Sequence, residues 1–534
     1  MADQQAVYMQ YAEAAVPDEV WKEVPLTCVI GCDIGTSGTR AIVVSDAGEV
    51  LSTATVAYEL STPQPGWAEQ HPDTWCEASL KSISGAVQEA GVSAEDVKAI
   101  GFSGQMHSSV FLDTSGEVLR PALLWCDTRT HEECAEITRT VGLSNLRKWV
   151  SNPALEGFTL PKILWVRKNE PEVYGKIARV MMPKDYVRYR LTGSVSTDVS
   201  DAAGTLCFDV RKRRWSRQLL ERLGIDPAWF PPVVESQEVC GELTSSAAKA
   251  LGLRAGTPVV GGGADNTCAA VGNGIIETGE VMASLGTSGV FFAHSDDVRV
   301  DPGLRVHTFC HSVPEKWYLM GVMLSAGHSL RWYRDTLGLS EKEVGSRTGE
   351  DPYDVLSNLA QEAPAGSEGL LFLPYLMGER TPHRDPHARG AFVGISTRHG
   401  RAHFARSVFE GITFGMRDSL EIFRELKVPI RRVVATGGGA VNPFWRQLQA
   451  DVYGEEVVTV SSREGPAHGA AILAMVGAGL HESVPAACSE LIQVVTRTSP
   501  RDEMAGVYDR WYREFRELYP ALKPGFRSIQ VALS

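Results

Sequence analysis

The stretch GCDIGTSGTR, Gly31–Arg40, carries the tetrad Gly-Thr-Ser-Gly, and MASLGTSGV, Met282–Val290, carries it again in the other half of the chain. Each copy joins two short apolar runs, the pattern of a strand, a tight turn and a returning strand. A single copy reads equally as an ordinary hairpin turn, since Gly and Ser are turn residues. The second reading is a phosphate cradle, because glycines and small hydroxyl residues let backbone N–H groups converge on an anion. Asp33 stands just before the first tetrad, where a carboxylate can hold a hard cation through water. The second copy has no acid beside it, as if one cation served both loops.

Working outward, the first tetrad sits in a meander: TCVIGCD, then TRAIVVS, a turn at Asp46–Gly48, and VLSTATVAYEL. HPDTWCEASLKSISGAVQEA follows as a helix opened by Pro72, and VKAIGFSGQMHSS as the next strand. The mixture predicts an α/β chain. The second half repeats the scheme. PVVGGGADNTCAAVG reads strand, Gly turn, helix; ASLGTSGVFFAHS reads as a hairpin; RRVVATGGGAVNPFWRQLQADVYG is again strand, Gly turn, helix, with strand EVVTV after it. HGAAILAMVGAGL closes the core as a helix, and Tyr508, Trp511, Tyr512, Phe515, Leu518 and Tyr519 fall at helical spacing on a final amphipathic helix.

The 534 residues exceed what one core serves, so two large domains are expected. A net charge of −13 argues against nucleic acid as a partner. Ten cysteines without a CxxC pair predict reduced thiols, with Cys28 and Cys32 too far apart on a strand to bridge. The first 27 residues hold five acids against one Lys and lack a signal-peptide layout. The apolar run Gly469–Leu480 is too short to span a bilayer, so a soluble, cytoplasmic protein with no membrane association is expected.

Several residues carry candidate chemistry. No GxxxxGK[ST] and no GxGxxG after a strand occur, which removes two familiar phosphate motifs. The turn TGGGAVN, Thr436–Asn442, offers a backbone surface for a flat base; Asn442 reads equally as a helix cap. In GGGADN, Gly261–Asn266, Asp265 is either a helix N-cap or the carboxylate that deprotonates a hydroxyl in phosphoryl transfer. Asn266 can bind a second hydroxyl. FSGQMHSS, Phe102–Ser109, ends a strand with Met106 as an apolar wall and His107 as a hydroxyl partner or a structural histidine. The His307/His311 and His383/His387 pairs are not expected to bind metal, since neither has a completing ligand set. Asp127 reads as the cap of the helix beginning near His131, or as a pocket residue.

Together with GWAEQHP, LLWCDTR, GFTLPK, MPKDYVRYRLTG, TDVSDAAGTL and FLPYLMGERTPH, these motifs resemble the FGGY carbohydrate kinases of the actin-like ATPase superfamily over about Val29 to Tyr519. The resemblance implies two actin-like (ribonuclease H-like) α/β domains flanking a cleft that closes on substrate. The expected division is an acidic tail at 1–27, an N-terminal domain at 28–254, a C-terminal domain with Asp265 at 255–480, and a C-terminal helical segment at 481–534. It implies Asp265 as general base, Met106, His107 and Asn266 at the sugar, and Asp33 near magnesium. Thr36, Ser37, Gly286 and Thr287 would hold phosphates, and Gly438 and Asn442 would lie at the adenosine of ATP.

The implied activity is ATP- and Mg2+-dependent phosphorylation of a ketopentose, D-xylulose at O5. Other ketoses or polyols (ribulose, L-xylulose, a sugar alcohol) are the rivals within the class, and a non-catalytic sensor or a polymerising actin-like protein the rival outside it. The partners are a small sugar and ATP, and a homodimer is compatible with the pattern. Departures from the family pattern are His71, Ser108, Ser151 and Glu156; Ser108 and Glu156 bear on sugar preference. Asp265 is expected to take its proton late, so that its pKa need not be raised far.

Overall fold

The computed structural model describes residues 26–462 and 464–533, so all but the last two residues of the acidic tail lie outside the described residues. Cys28–Ile34, Gly38–Ser45 and Val50–Ala57 form the expected antiparallel meander. The helix Pro72–Ala90 then returns the chain so that Val97–Gly104 pairs in parallel with Cys28–Ile34. A parallel pair needs such a crossover, because no tight turn can join strands of the same direction. Val29, Ile30 and Cys32 are all fully buried. The strand is covered on both faces, which is why it reads as a continuous apolar run and not as an alternation.

The second half repeats this plan. Gly279–Leu285 pairs antiparallel with Gly289–Ser295 across the second tetrad, and in parallel with Ile430–Gly437 on its other side. In each seven-stranded sheet a tetrad thus follows the strand with an antiparallel partner on one edge and a parallel partner on the other.

Strand pairing moves the expected domain boundary. Pro258–Val260 and Gly263–Ala264, assigned by sequence to the C-terminal domain, pair in parallel with Val97–Gly104 and complete the first sheet. The helix Gly465–Gly477, also expected in the second domain, lies on that same sheet. The Gly-rich linker before Pro258 marks a turn, and a turn does not say which sheet receives the next strand. The segment from 481 is not wholly helical either. Val494–Thr498 is an edge strand of the second sheet before the helix Asp502–Leu533, which buries Tyr508, Tyr512, Phe515 and Tyr519. Asp127 does not cap the helix His131–Val141; it is fully buried, accepts from the Ala68 N–H at 2.7 Å and pairs with Arg129 at 2.6 Å. The ten cysteines are all unpaired, and among the described residues no helix is long and apolar enough to cross a membrane.

Glycines set how the two halves join. A Cβ on Gly31 or on Gly101 would stand 2.0 Å from a carbonyl of the helix Gly465–Gly477, so these strands form a flat floor for that helix. The same helix crosses Asp265–Gly272, where a Cβ on Gly469 would meet the Cys268 carbonyl at 1.8 Å. Backbone meets backbone at this crossing, and no side-chain rotation can relieve an added methyl. Gly469→Ala should therefore lower the thermal midpoint, by a destabilisation of about 1–3 kcal/mol. Gly506→Ala, on the open face of the last helix, should leave it unchanged or raise it, since alanine favours a helix by about 1 kcal/mol. Melting curves of the two variants check this; equal midpoints would refute it.

Candidate active site

The register of the first sheet brings the sequence-predicted residues to one edge. Asp33 lies beside Ser103 and Ile34 beside Gly104, while Gly263 and Ala264 flank the same two residues from the other side. The first tetrad, the Gln105–His107 turn and the Asp265–Asn266 pair all leave the sheet at the carboxyl ends of its parallel strands, where open α/β sheets bind ligands.

Asp33 and Asp265 face a common recess. Burial lifts the Asp33 carboxyl to about 6, against the opposing pull of Ser103 and Arg40. Its Oδ1 is buried without a hydrogen-bond partner among the described residues. Burial, and then the Asp33 charge, push Asp265 up to about 7, further than the sequence reading expected. The Asn266 backbone N–H and Nδ2 donate to Asp265 Oδ1 at 2.7 and 2.9 Å, leaving Oδ2 to take a proton. An orphaned, recessed carboxylate oxygen beside a second carboxylate fits a magnesium ion, which needs few protein ligands when phosphates supply the rest. No group of three or more His, Cys, Asp or Glu among the described residues forms a fuller metal cage.

His107 holds a left-handed backbone, φ 68°, that a non-glycine residue adopts only under constraint. Three bonds supply the constraint: Thr159 Oγ1 and Lys162 Nζ donate to its carbonyl at 2.9 and 3.0 Å, and its Nδ1 donates to the Gly204 carbonyl at 2.5 Å. Burial drops its pKa to about 3, so the ring is neutral. With Nδ1–H committed to Gly204, Nε2 carries the lone pair and can accept a sugar hydroxyl. Met106 is buried between Asn266 Nδ2, 3.7 Å from its sulfur, and the Tyr318 hydroxyl at 4.0 Å. Tyr318 comes from the second sheet, so the recess is roofed by both halves.

The first tetrad has its carbonyls tied back. Gly35 O accepts from Tyr58 and Gln105 at 2.6 and 3.2 Å, Thr36 O from Gln70 at 2.7 Å, and Ser37 O from the Tyr58 N–H at 3.1 Å. The Thr36 and Ser37 N–H groups are left without acceptors among the described residues, the arrangement an anion cradle requires. The second tetrad is held likewise, Gly327 and His328 N–H donating to the Gly286 and Thr287 carbonyls at 2.9 and 3.0 Å.

The third turn adjoins the second tetrad, because Leu285 pairs with Gly437 and Gly438 follows immediately. Gly438 is exposed, and a Cβ added there would meet only the Leu285 carbonyl, at 3.8 Å. Asn442 is the cap: its Oδ1 accepts from Trp445 N at 3.3 Å, and its Nδ2 donates to Asp354 and Ser357 at 2.8 and 2.9 Å. Its amide is spent within the protein.

Other residues border the site: Trp125 and Arg380 were not read from sequence as site residues, while Ser108 and Glu156 were read only as departures. Trp125, 40% exposed, donates from Nε1 to Thr36 Oγ1 at 2.9 Å and so borders the first cradle. Ser108 is fully buried and accepts from Trp125 N at 3.1 Å, which makes it a prop for Trp125. Arg380 lies within 3.9 Å of where a Gly157 Cβ would stand, and its guanidinium has no hydrogen bond or ion pair among the described residues. Glu156, one of the departures, accepts from or pairs with His131 at 3.0 Å and adds a negative field at Arg380. Trp125 sits in LLWCDTR and Arg380 in GERTPH, so their motifs were visible while their roles depend on tertiary placement.

Comparison with known proteins agrees with this geometry. The N-terminal domain of the FGGY family of carbohydrate kinases matches residues 28–272, which keeps Asp265 with the first sheet, and the family's C-terminal domain matches residues 281–478. The chain is 39% identical over 495 residues to the xylulose kinase of Bacillus subtilis (strain 168), covering 93% of this chain and 97% of that one. It is 31% identical to the gluconokinase of the same organism, covering 92% and 94%. A crystal structure of a xyloylose kinase from Brucella ovis superposes with a TM-score of 0.85 at 34% identity, covering 93% of this chain and 99% of that one. With paired tetrads on twin sheets, a recess between them and both family domains matched in order, the chain belongs to the FGGY family of carbohydrate kinases.

Proposed function

We propose that the protein transfers the γ-phosphoryl group of ATP to O5 of D-xylulose. The observation that carries this reading is the meeting of Asp265 Oδ2, neutral His107 and buried Met106 at one strand edge, beside a tetrad whose Thr36 and Ser37 N–H groups have no acceptor among the described residues. The xylulose kinase relative, more similar than the gluconokinase, supports the ketopentose as acceptor.

In this reading the sugar lies against Met106, with hydroxyls at His107 Nε2 and Asn266. Asp265 Oδ2 accepts the O5 proton as O5 attacks phosphorus in line; the new P–O5 bond forms as the bond to the ADP oxygen breaks. Thr36, Ser37 and Thr287 N–H groups hold the phosphates from the two sheets, and the exposed backbone at Gly438 carries the adenosine. Asn442 shapes that turn as its cap. Asp33 would hold magnesium, which when bound offsets the phosphate charge. Closure of the two sheets over the recess would keep water from the phosphoryl group.

Initial rates of ADP formation over a sugar panel test the assignment. D-xylulose should give the highest kcat/KM, ahead of D-ribulose, L-xylulose, xylitol and D-gluconate. A higher value for any of the others would replace the ketopentose assigned here, and sugar-independent ADP release would remove the kinase reading. Asp265→Asn should cut kcat by at least about a thousandfold while ATP still binds, since the proton acceptor is lost but the cradles are not. That variant should also melt no lower than wild type at pH 8. The raised pKa means the folded state binds the Asp265 proton more tightly than the unfolded chain, so stability falls as pH rises from about 4 to about 7 and the full cost of ionisation is present at pH 8. Turnover within about tenfold of wild type would show that another group is the base.

A further inference from the structure

Behind the recess lies a buried charged cluster that the phosphoryl transfer does not use. Lys184, Asp185, Asp198 and Asp201 are all fully buried, with Lys184 Nζ 2.7, 2.9 and 3.2 Å from the three carboxylates in that order. Such a cluster is seldom worth net stability over apolar packing, because desolvating the charges offsets their attraction. What it supplies is fixed geometry.

The five-residue helix Val199–Ala203 carries that geometry to the site. Asp198 caps it, accepting from Ser200 N, and Ser200 Oγ donates to Asp198 Oδ2 at 2.5 Å. The same Ser200 Oγ accepts the N–H of Ala264, the residue before Asp265, at 2.9 Å. Arg188, paired with Asp185 at 3.1 Å, donates to the Gly261 carbonyl at 3.3 Å, further back on the same strand turn. At its other end the helix passes into Gly204, whose carbonyl accepts from His107 Nδ1. A Cβ on Gly204 would stand 3.0 Å from that nitrogen and 3.1 Å from Met106 Cε, so the backbone is pressed against both sugar-facing residues. One short helix therefore grips the Asp265 strand with its first turn and His107 with its last.

We propose that the Val199–Ala203 helix, anchored by Asp198 on Lys184, is a brace that fixes Asp265 relative to His107, with Ser200 as its positioning residue. The proposal rests on Asp265 being the base. Ser200→Ala removes one oxygen and leaves the Ala264 N–H buried without an acceptor, so the strand end moves to solvate it. A displacement of up to about 1 Å at the base slows an aligned in-line transfer by about tenfold to a hundredfold. Sugar contacts at His107 and Met106 stay in place.

Steady-state kinetics, normalised to active sites titrated with nucleotide, test this. Ser200→Ala should lower kcat at least about tenfold with the sugar KM within about threefold of wild type. Ser236→Ala is the matched control: it removes a 2.8 Å hydrogen bond from the same Asp198 oxygen without touching Ala264, and should keep kcat within about threefold. The Ser200→Ala/His107→Ala pair should lose less kcat/KM than the product of the single losses, because both act through one brace. Equal losses in the two serine variants, or a Ser200→Ala kcat within about twofold of wild type, would overturn the brace. An active Asp265→Asn enzyme would instead remove the base assignment, whatever the serine variants do.

Discussion

Two carboxylates, Asp33 and Asp265, share one recess; burial makes both harder to ionise, and the Asp33 charge makes Asp265 harder still. Most of the architecture around them keeps that costly arrangement in place. Both sit at carboxyl ends of strands flanking Val97–Gly104, so their separation is set by sheet spacing and not by flexible side chains. Asp265 is fixed further by two donors from Asn266 on one oxygen, which leaves the other for chemistry. A cation at Asp33 would relieve the repulsion and lower the Asp265 pKa, so nucleotide and magnesium would prepare the base as they arrive.

The join between halves follows from glycine. Gly31 and Gly101 flatten the first sheet so that a helix from the far end of the chain lies on it, and Gly469 lets that helix cross the Asp265 helix at backbone contact. Two helices thus pass between the sheets, one leaving the sugar edge and one returning from the second sheet. The two halves meet at the recess, with Tyr318 of the second sheet reaching Met106 of the first. In the proposed function, movement of one sheet against the other would change the phosphate cradles and the sugar wall together.

Much of this was legible before any coordinates. The strand–turn–strand pattern around both tetrads, the helix and strand that follow the first meander and the aromatic spacing of the last helix rest on local periodicity, and each appears where the pattern put it. Asp33, Met106, His107, Asp265 and Asn266 converge because each lies at or just beyond the carboxyl end of a strand of one sheet, a regularity visible in the motifs. Sequence reasoning failed where pairing is non-local. The strand before Asp265 looked like the start of a new domain, although its hydrogen-bond partner lies more than half the preceding chain away. Asp127 resembled a cap because an acid before a helix usually is one; its role as a buried partner of Ala68 and Arg129 depends on a contact from a distant loop. The Lys184 cluster and Trp125 lie in quoted motifs, yet nothing local says that one stands behind Asp265 and the other beside Thr36.

The account turns on the ionisation of Asp265, and that can be read without turnover. Difference infrared spectra of 13C-aspartate-labelled protein, wild type against Asp265→Asn, isolate its carboxyl band across pH. The band should titrate near 7 in the absence of magnesium, and at a lower pH in Asp33→Asn, where the neighbouring charge is gone. A midpoint near the ordinary aspartate value of about 4, or one unmoved by Asp33→Asn, would contradict the coupled-carboxylate site.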